Sequence, residues 1–471
     1  MGTVLRPLSC RKFYGMFLCL AVGLATPRTT FGVSESGAAP KARVVVLGVD
    51  GVSLNLLKPF IESGVTPTLG RLVRRGTATP LASFWPLRTP QVWTSAVTGK
   101  YPGQHGIWDH LSNTYFNPPP FRTKTKRRVT SEDRKSNALW SILDEKALKT
   151  LTVGWVATWP AEDLQHGVMI APVELMGDRR QTSIKPSFYS GTTRTITPKS
   201  WSRELESLYR LPSTLSREDL EEFASIPASG SSLYKLPRMK RYTYALRWSL
   251  ARAQSVERLT LAAFKKQPAE VVLSYFQCTD SLLHRFWIFQ ESEEAIAERF
   301  KEHKLPLGDI PELKRRFGRL VEQCYRDVDQ RIKRILDAVA GPETLVMILS
   351  DHGFGPASVP HRMPSEPYGG THRDDGVLIL AGPGIVQNQS VVNASILDIT
   401  PTLLTFLGHP VGADMPGRVL RELFSPGALP TPGMISSYES TPQTAIPFRE
   451  GWPPRKAKTR SALKKAERQS Y

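Results

Sequence analysis

The chain has 471 residues, 40% of them apolar and 22% charged, with a mean hydropathy of −0.26. That length can bury one large core with room for insertions, and the composition fits a globular protein. The net charge of +19 gathers in KTKRR, residues 124–128, and in residues 449–471, where eight Lys/Arg face two Glu. No aromatic interleaving or nucleic-acid motif accompanies these runs. They read as a solvated loop and tail, and specific nucleic-acid recognition is not expected.

In chain order, Arg6, Arg11 and Lys12 precede FYGMFLCLAVGLA, residues 13–25. This apolar stretch is too short to span a bilayer and suits the core of a signal peptide. Residues 1–32 are therefore read as a signal peptide or N-terminal anchor, and the protein as exported: periplasmic, secreted or lumenal. No later run reaches about 18 apolar residues, so no other span is expected. The N-terminal segment and the basic tail are the candidates for membrane contact. Cys278 and Cys324 could pair in an exported protein, although a buried free thiol suits Cys278 beside its strand end.

ARVVVLGVDGV, residues 42–52, predicts a buried strand, and TPTLGRLVRRG, residues 66–76, a helix with Pro67 in its first turn. A helix is expected over 90–99, a polar loop over 111–136, a helix over 138–149 and a strand over 150–160. Residues 173–240, rich in Ser, Thr, Pro and Arg, break the rhythm and read as an inserted cap. A helix over 241–266 then feeds a strand at 271–276. A helix over 311–340 feeds a strand at 345–350, a further strand covers 376–382, and a closing helix covers 396–408. The catalytic core is thus 42–172 plus 241–426, and residues 427–471 form a basic, Pro-rich tail expected to be disordered. The fold class is α/β: a doubly wound, mostly parallel central sheet flanked by helices, with an inserted cap.

The chemistry lies at the strand ends. Asp50 closes the first strand. Asp280 and His284 follow the strand at 271–276, four apart and so on one helix face. Asp351 and His352 close LVMILSDHG, and His372 follows in GGTHR. Three Asp and three His at the carboxyl ends of apolar strands suit Zn²⁺, with Mn²⁺ as the alternative, at three ligands per ion and with positions left for substrate. Asp374 and Asp375 are candidate partners that orient His372, or solvated loop residues. His105 is read as supporting its turn, and His361 and His409 as surface or loop.

Two metals commonly serve an in-line displacement, which needs an attacking oxygen. Thr89, before Pro90 at a predicted helix start, is the candidate, because a helix N-terminus favours an alkoxide and phosphoryl oxygens. The set of LGVDGV, TPTLGRL, Thr89 followed by VTGKYPGQHGI, Asp280-x-x-x-His284, SDHG, GGTHR and DITPTLLTFLGHPVGADMPGRVL resembles the type I phosphodiesterase/nucleotide pyrophosphatase family of the alkaline phosphatase superfamily. It spans roughly residues 42–426 outside the cap.

The resemblance implies that Asp50, Asp351 and His352 hold one zinc, in contact with the Thr89 oxygen. Asp280, His284 and His372 would hold a second, which activates water. It also implies a small anionic phosphate ester as substrate. One departure stands out. The family carries HGI-x-x-Asn, whose Asn donates to a phosphoryl oxygen, whereas this chain reads HGIWDH and places His110 there. An imidazole can still donate, so His110 joins Thr89 as a catalytic candidate. The cap and His110 would together set the leaving group. The Cys/Ser-x-Pro-x-Arg motif of sulfatases is absent. The expected function is a phosphodiesterase. A phosphomonoesterase, phosphonate hydrolase or headgroup transferase is the alternative among enzymes, and an inactive binding protein the alternative outside them.

Overall fold

In the computed structural model, described residues are 41–112, 122, 124, 127–172, 194–228, 230–232, 237–302, 307–357 and 369–440. The candidate signal segment, residues 173–193 of the insertion, His361 and the tail from residue 441 lie outside them. So do two residues of the KTKRR run.

Among the described residues there are twelve strands: β1 (Ala42–Val49), β2 (Thr77–Ala82), β3 (Thr150–Val153), β4 (Val168–Ile170), β5 (Ile196–Thr197), β6 (Val271–Phe276), β7 (Ala340–Ser350), β8 (Gly353–Pro356), β9 (Gly370–Arg373), β10 (Asp375–Ala381), β11 (Val411–Gly412) and β12 (Met434–Ile435). Eight of them form one sheet in the order β2-β10-β7-β1-β6-β3-β4-β5. The run from β7 to β4 is parallel, while β10 is antiparallel to both its neighbours and β5 to β4. The doubly wound sheet is therefore mostly parallel, with antiparallel strands toward both edges. Pro80 sits in the edge strand β2, where a missing donor costs no central ladder bond.

Helices cover both faces. They are α1 (Leu54–Glu62), α2 (Pro67–Arg75), α3 (Thr89–Thr98), α4 (Pro102–His105), α5 (Leu139–Asp144), α6 (Ser202–Glu206), α7 (Arg217–Glu221), α8 (Pro237–Lys266), α9 (Cys278–Phe286), α10 (Glu293–Glu302), α11 (Ile310–Phe317), α12 (Leu320–Val339) and α13 (Ile399–Phe406). The pleat of β1 divides the core. Val45, Leu47 and Val49 pack in a cluster with residues of α8, α9 and α12, while Val44 and Val46 pack with residues of α3, α5 and α13. A strand buried on both faces reads as an unbroken apolar run, as β1 does. Among the described residues, no helix is long and apolar enough to cross a membrane.

Several local expectations change. The single helix expected over 311–340 is two, α11 and α12, separated at Gly318. The helix expected over 138–149 ends at Asp144, whose carboxylate accepts the N–H groups of Gln165, His166 and Gly167 at 2.8, 2.7 and 3.1 Å. The strand expected over 150–160 stops at Val153, because Gly154 turns the chain out of the sheet at φ +69. Residues 427–440, assigned by composition to a disordered tail, are placed against the body. There β12 pairs with β11, and Glu439 accepts from the buried Lys100 ammonium at 2.7 Å.

The insertion is not a separate unit. In its described part, Leu205, Leu215, Leu220 and Phe223 sit in the same core cluster as Met239, Leu246 and Leu250 of α8. Cys278 and Cys324 are buried free thiols, and the hydrogen bond the Cys324 thiol donates to Cys278, together with burial, holds Cys324 well above its usual pKa.

Candidate active site

Adjacent parallel strands place their carboxyl ends side by side, and β7, β1 and β6 are adjacent. Asp50 leaves the end of β1 with its N–H on the Phe276 carbonyl at 2.9 Å. Asp351 and His352 leave the end of β7. The end of β6 passes into α9, which carries Asp280 and His284 one turn apart. His372 lies on β9, in the β8–β9 pair, opposite Phe354. Gly51, at φ +77, makes the turn after Asp50, and a Cβ there would meet the Phe354 ring at 3.0 Å.

The structure brings all six residues together. His352 Nε2 lies 3.3 Å from Asp50 Oδ1, 3.6 Å from Asp351 Oδ2 and 3.8 Å from Asp280 Oδ1. His284 and His372 approach Asp280 Oδ1 through Nε2 at 3.3 and 3.2 Å. The donor atoms of Asp50, Asp351 and His352 lie within 4.8 Å of one another, as do those of Asp280, His352 and His372. His284 joins the second group, and His352 stands between the two.

Each imidazole is oriented in the same way. His284, His352 and His372 place Nδ1 at 3.1 Å from the carbonyls of Gly370, Gly353 and Leu87. A carbonyl only accepts, so each Nδ1 donates and each Nε2 faces the cluster, the usual arrangement behind a metal-binding histidine. Asp374 and Asp375 are exposed, so the Leu87 carbonyl, rather than a neighbouring carboxylate, orients His372.

The donor set calls for cations. Asp50, Asp351 and His352 are fully buried, and Asp50 Oδ1, both Asp351 oxygens and His352 Nε2 have no hydrogen-bond partner. Buried polar atoms of this kind are costly unless paired or bound to metal. The electrostatics agree. Burial and the neighbouring Asp50 charge push the Asp351 carboxyl well above its usual pKa. Burial would lower His352, yet the Asp351 and Asp50 carboxylates outweigh it and raise the imidazole to about 10. Burial, then the charge on His352, lowers His372 to about 3. Burial would also raise Asp280, but His284 and His372 hold it well below the carboxylate range. Without metal, the cluster thus draws protons into the positions cations would take. Three carboxylates and three imidazoles form a donor set of the kind that binds divalent metal.

Thr89 opens α3 with Pro90 after it and is 5% exposed. It lines a cleft together with His110, Arg128, Val156, Trp159, Arg252, Tyr275 and Gln277. The Tyr275 hydroxyl donates to Asp50 Oδ2, which ties the cleft wall to the cluster. The Leu87 carbonyl, two residues before Thr89, is the one that holds His372. His110 reaches the cleft from a loop, with its N–H on Asp109 Oδ1 at 2.7 Å. His105 supports its turn: Nδ1 accepts the Ile107 N–H at 3.1 Å, and Nε2 faces the Ser95 hydroxyl at 2.9 Å.

The described part of the insertion does not line this cleft; it packs against α8 instead. The segment after Gly154, expected to be strand, supplies Val156, Ala157 and Trp159 to the wall. Tyr275, Gln277, Arg128 and Arg252 escape the sequence reading. Only Tyr275 and Gln277, in the strand-end segment before Asp280, carried a positional signal.

The family model for type I phosphodiesterase / nucleotide pyrophosphatase matches residues 44–383. The chain belongs to that family. It thereby falls in the alkaline phosphatase superfamily, among hydrolases acting on phosphoric ester bonds. A Δ4,5-hexuronate-2-O-sulfatase from Bacteroides thetaiotaomicron is 34% identical over 106 residues, 21% of this chain and 22% of the sulfatase, so the match spans about a fifth of that relative's length. Among solved structures, human ectonucleotide pyrophosphatase / phosphodiesterase 5 aligns at TM-score 0.44 and 13% identity, covering 81% of this chain and 99% of that one. A phosphonate monoester hydrolase from Silicibacter pomeroyi aligns at TM-score 0.43 and 15% identity, covering 82% of this chain and 77% of that one.

Proposed function

We propose that this family member hydrolyses phosphoric diesters, with Thr89 as nucleophile and two zinc ions held by Asp50, Asp280, His284, Asp351, His352 and His372. The observation that carries the reading is the convergence of three carboxylates and three Nε2 atoms that face one cluster, joined through Tyr275 to a cleft that Thr89 lines. Manganese is the alternative ion, and the substrate is a small anionic phosphate ester. In this reading the protein is exported by its N-terminal segment.

When bound, the ions supply Lewis acidity and neutralise charge at phosphorus. Asp50, Asp351 and His352 form the ligand group joined to the Thr89 wall through Tyr275. Asp280, His284 and His372 form the other. The N-terminus of α3 favours the deprotonated Thr89 oxygen, which attacks phosphorus as the alcohol or phenol group leaves from the opposite side. Water then cleaves the phosphoryl-threonine ester and restores the hydroxyl. His110 lines the same cleft, where an imidazole N–H would donate to a phosphoryl oxygen in place of the family's Asn.

The test compares 4-nitrophenyl phosphate with bis(4-nitrophenyl) phosphate, with and without chelator. The reading expects faster turnover of the diester, lost on chelation and restored by zinc. Preference for the monoester would move the protein to the phosphomonoesterases. Absence of turnover with metal loaded would favour a binding protein on this fold.

A further inference from the structure

The cleft beside Thr89 has a charged wall apart from the metal-ligand cluster. Its lining contains two arginines, Arg128 and Arg252, with His110 beside them and no carboxylate. Arg128 and His110 are held together by local pairing. Leu111 bridges Arg128, the Val129 N–H donates to the His110 carbonyl at 3.0 Å, and the Ser112 N–H donates to the Arg127 carbonyl at 2.9 Å. Asp133 takes the Arg127 guanidinium in two bonds of 2.7 and 2.6 Å. Neighbours on extended backbone face opposite ways, so Arg127 turns out to Asp133 while Arg128 turns to the cleft.

Arg252 comes from the middle of α8. Ala251 and Ala253 beside it are buried in the core, while Arg252 is half-buried and lines the cleft. Its guanidinium makes no ion pair with a described residue. A half-buried guanidinium without a counter-ion is an unfavourable arrangement that a bound anion relieves. Arg252 also lines an adjoining hollow walled largely by apolar residues that include Val153, Ile170, Val256, Leu259 and Phe276.

In the proposed reading two divalent ions would neutralise the reacting phosphoryl group, so the Arg252 guanidinium matches charge elsewhere on the substrate, with Arg128 lining the same cleft. We propose that Arg252 and Arg128 form an oxyanion subsite. It selects phosphoric esters whose organic group carries a second anionic group, with the carbon body against the apolar cavity behind Arg252. This rests on the phosphodiesterase reading and specifies its substrate class. The subsite recognises a carboxylate, phosphonate or sulfonate by the same bidentate chemistry.

The experiment uses zinc-loaded protein and 4-nitrophenyl diesters whose second ester group is phenyl, 4-carboxyphenyl, 4-phosphonophenyl or 4-sulfophenyl. The parent should favour at least one anionic ester over the phenyl ester by about 10-fold or more in kcat/KM, as charge-assisted bonds give. The ranking of the three anionic esters identifies the oxyanion. Arg252→Gln should bring that ratio close to one, mainly through KM, and Arg252→Lys should keep part of it. Arg128→Gln should lower it separately. Equal kcat/KM for all four esters in the parent, or a ratio unchanged in both Gln variants, would overturn the proposal.

Equilibrium binding of the same esters is measured in parallel. If no ester turns over, the phosphodiesterase reading fails, and binding judges the subsite alone. Tighter binding of an anionic ester that Arg252→Gln abolishes supports it, and equal affinities for all four overturn it.

Discussion

His284 Nε2 and His372 Nε2 face each other at 3.0 Å, while the Nδ1 atom of each ring donates to a backbone carbonyl at 3.1 Å. With no proton on either Nε2, the two rings present lone pairs to one another. A proton on one Nε2 or a metal ion beside the pair relieves this, and Asp280 Oδ1 stands 3.3 and 3.2 Å from the two nitrogens, where it would join them around such an ion.

Metal content follows directly. Elemental analysis should give about two zinc ions per chain. Asp351→Ala combined with His372→Ala removes one ligand from each group and should lower the content at both. Retention of full content in that double variant would contradict the assignment.

Metal loading should also release protons. In the metal-free protein the Asp351 and Asp50 carboxylates raise His352 to about 10, so its imidazole holds an extra proton near pH 7. A ligand must shed such a proton to bind metal, so zinc affinity should rise with pH across the neutral range. Calorimetry in buffers of different ionisation enthalpy measures the release, and uptake or no exchange of protons would contradict it.

His110 is tested by substitution. A hydrogen-bond donor to a developing oxyanion contributes about 2.7–4 kcal/mol, so His110→Ala should lower kcat by about 100-fold or more. His110→Asn should recover part of the loss. If both variants match the parent, the imidazole only lines the cleft.

Acid stability should depend on His105. Burial, then the charge of Arg134, lowers this imidazole to about 3 from the usual 6.5. A base depressed by folding is neutral in the native state and charged in the unfolded chain below pH 6.5. Its contribution is therefore full above pH 6.5 and is lost as pH falls toward 3, at up to about 1.4 kcal/mol per unit. Urea unfolding at pH 7 and pH 5 should show a smaller drop for His105→Asn than for the parent, and equal drops would contradict this.

The segment after residue 426 should matter for stability only as far as residue 440. The Lys100 ammonium is nearly buried and pairs with Asp414 and Glu439, each at 2.7 Å. Breaking a buried pair costs about 3–5 kcal/mol when one charge is left alone. Here Asp414 remains, so Glu439→Ala should cost less than that range but still lower the melting temperature. Deletion of 441–471 should leave it near the parent value, and a Glu439→Ala protein as stable as the parent would show that the pair contributes nothing.

The site was legible where polar residues interrupt apolar strands. Asp50, Asp280 and Asp351 stand at the ends of β1, β6 and β7, and parallel order alone makes those ends neighbours. The carbonyls of Leu87, Gly353 and Gly370 were not legible, because a backbone acceptor carries no side-chain signal. Nor was Arg252, one basic residue among several on a long amphipathic helix. The Trp155–Trp159 stretch misled because an apolar run fits a strand or a cleft wall equally well, and only the positive φ of Gly154 decides between them. The β2 strand was hidden by Pro80 and by its place at the sheet edge. The tail was misjudged at 427–440 because a Pro-rich composition does not show that Glu439 meets a buried lysine.

The central claim is attack by the Thr89 oxygen, and acid-quenched mass spectrometry of zinc-loaded protein turning over bis(4-nitrophenyl) phosphate tests it most directly. A phosphoryl-ester adduct should map to the peptide carrying Thr89, and Thr89→Ala should lose both adduct and turnover while keeping its zinc. A fully metal-loaded Thr89→Ala protein whose rate falls by less than about 10-fold, less than about 1.4 kcal/mol on the barrier, would show that another group attacks phosphorus.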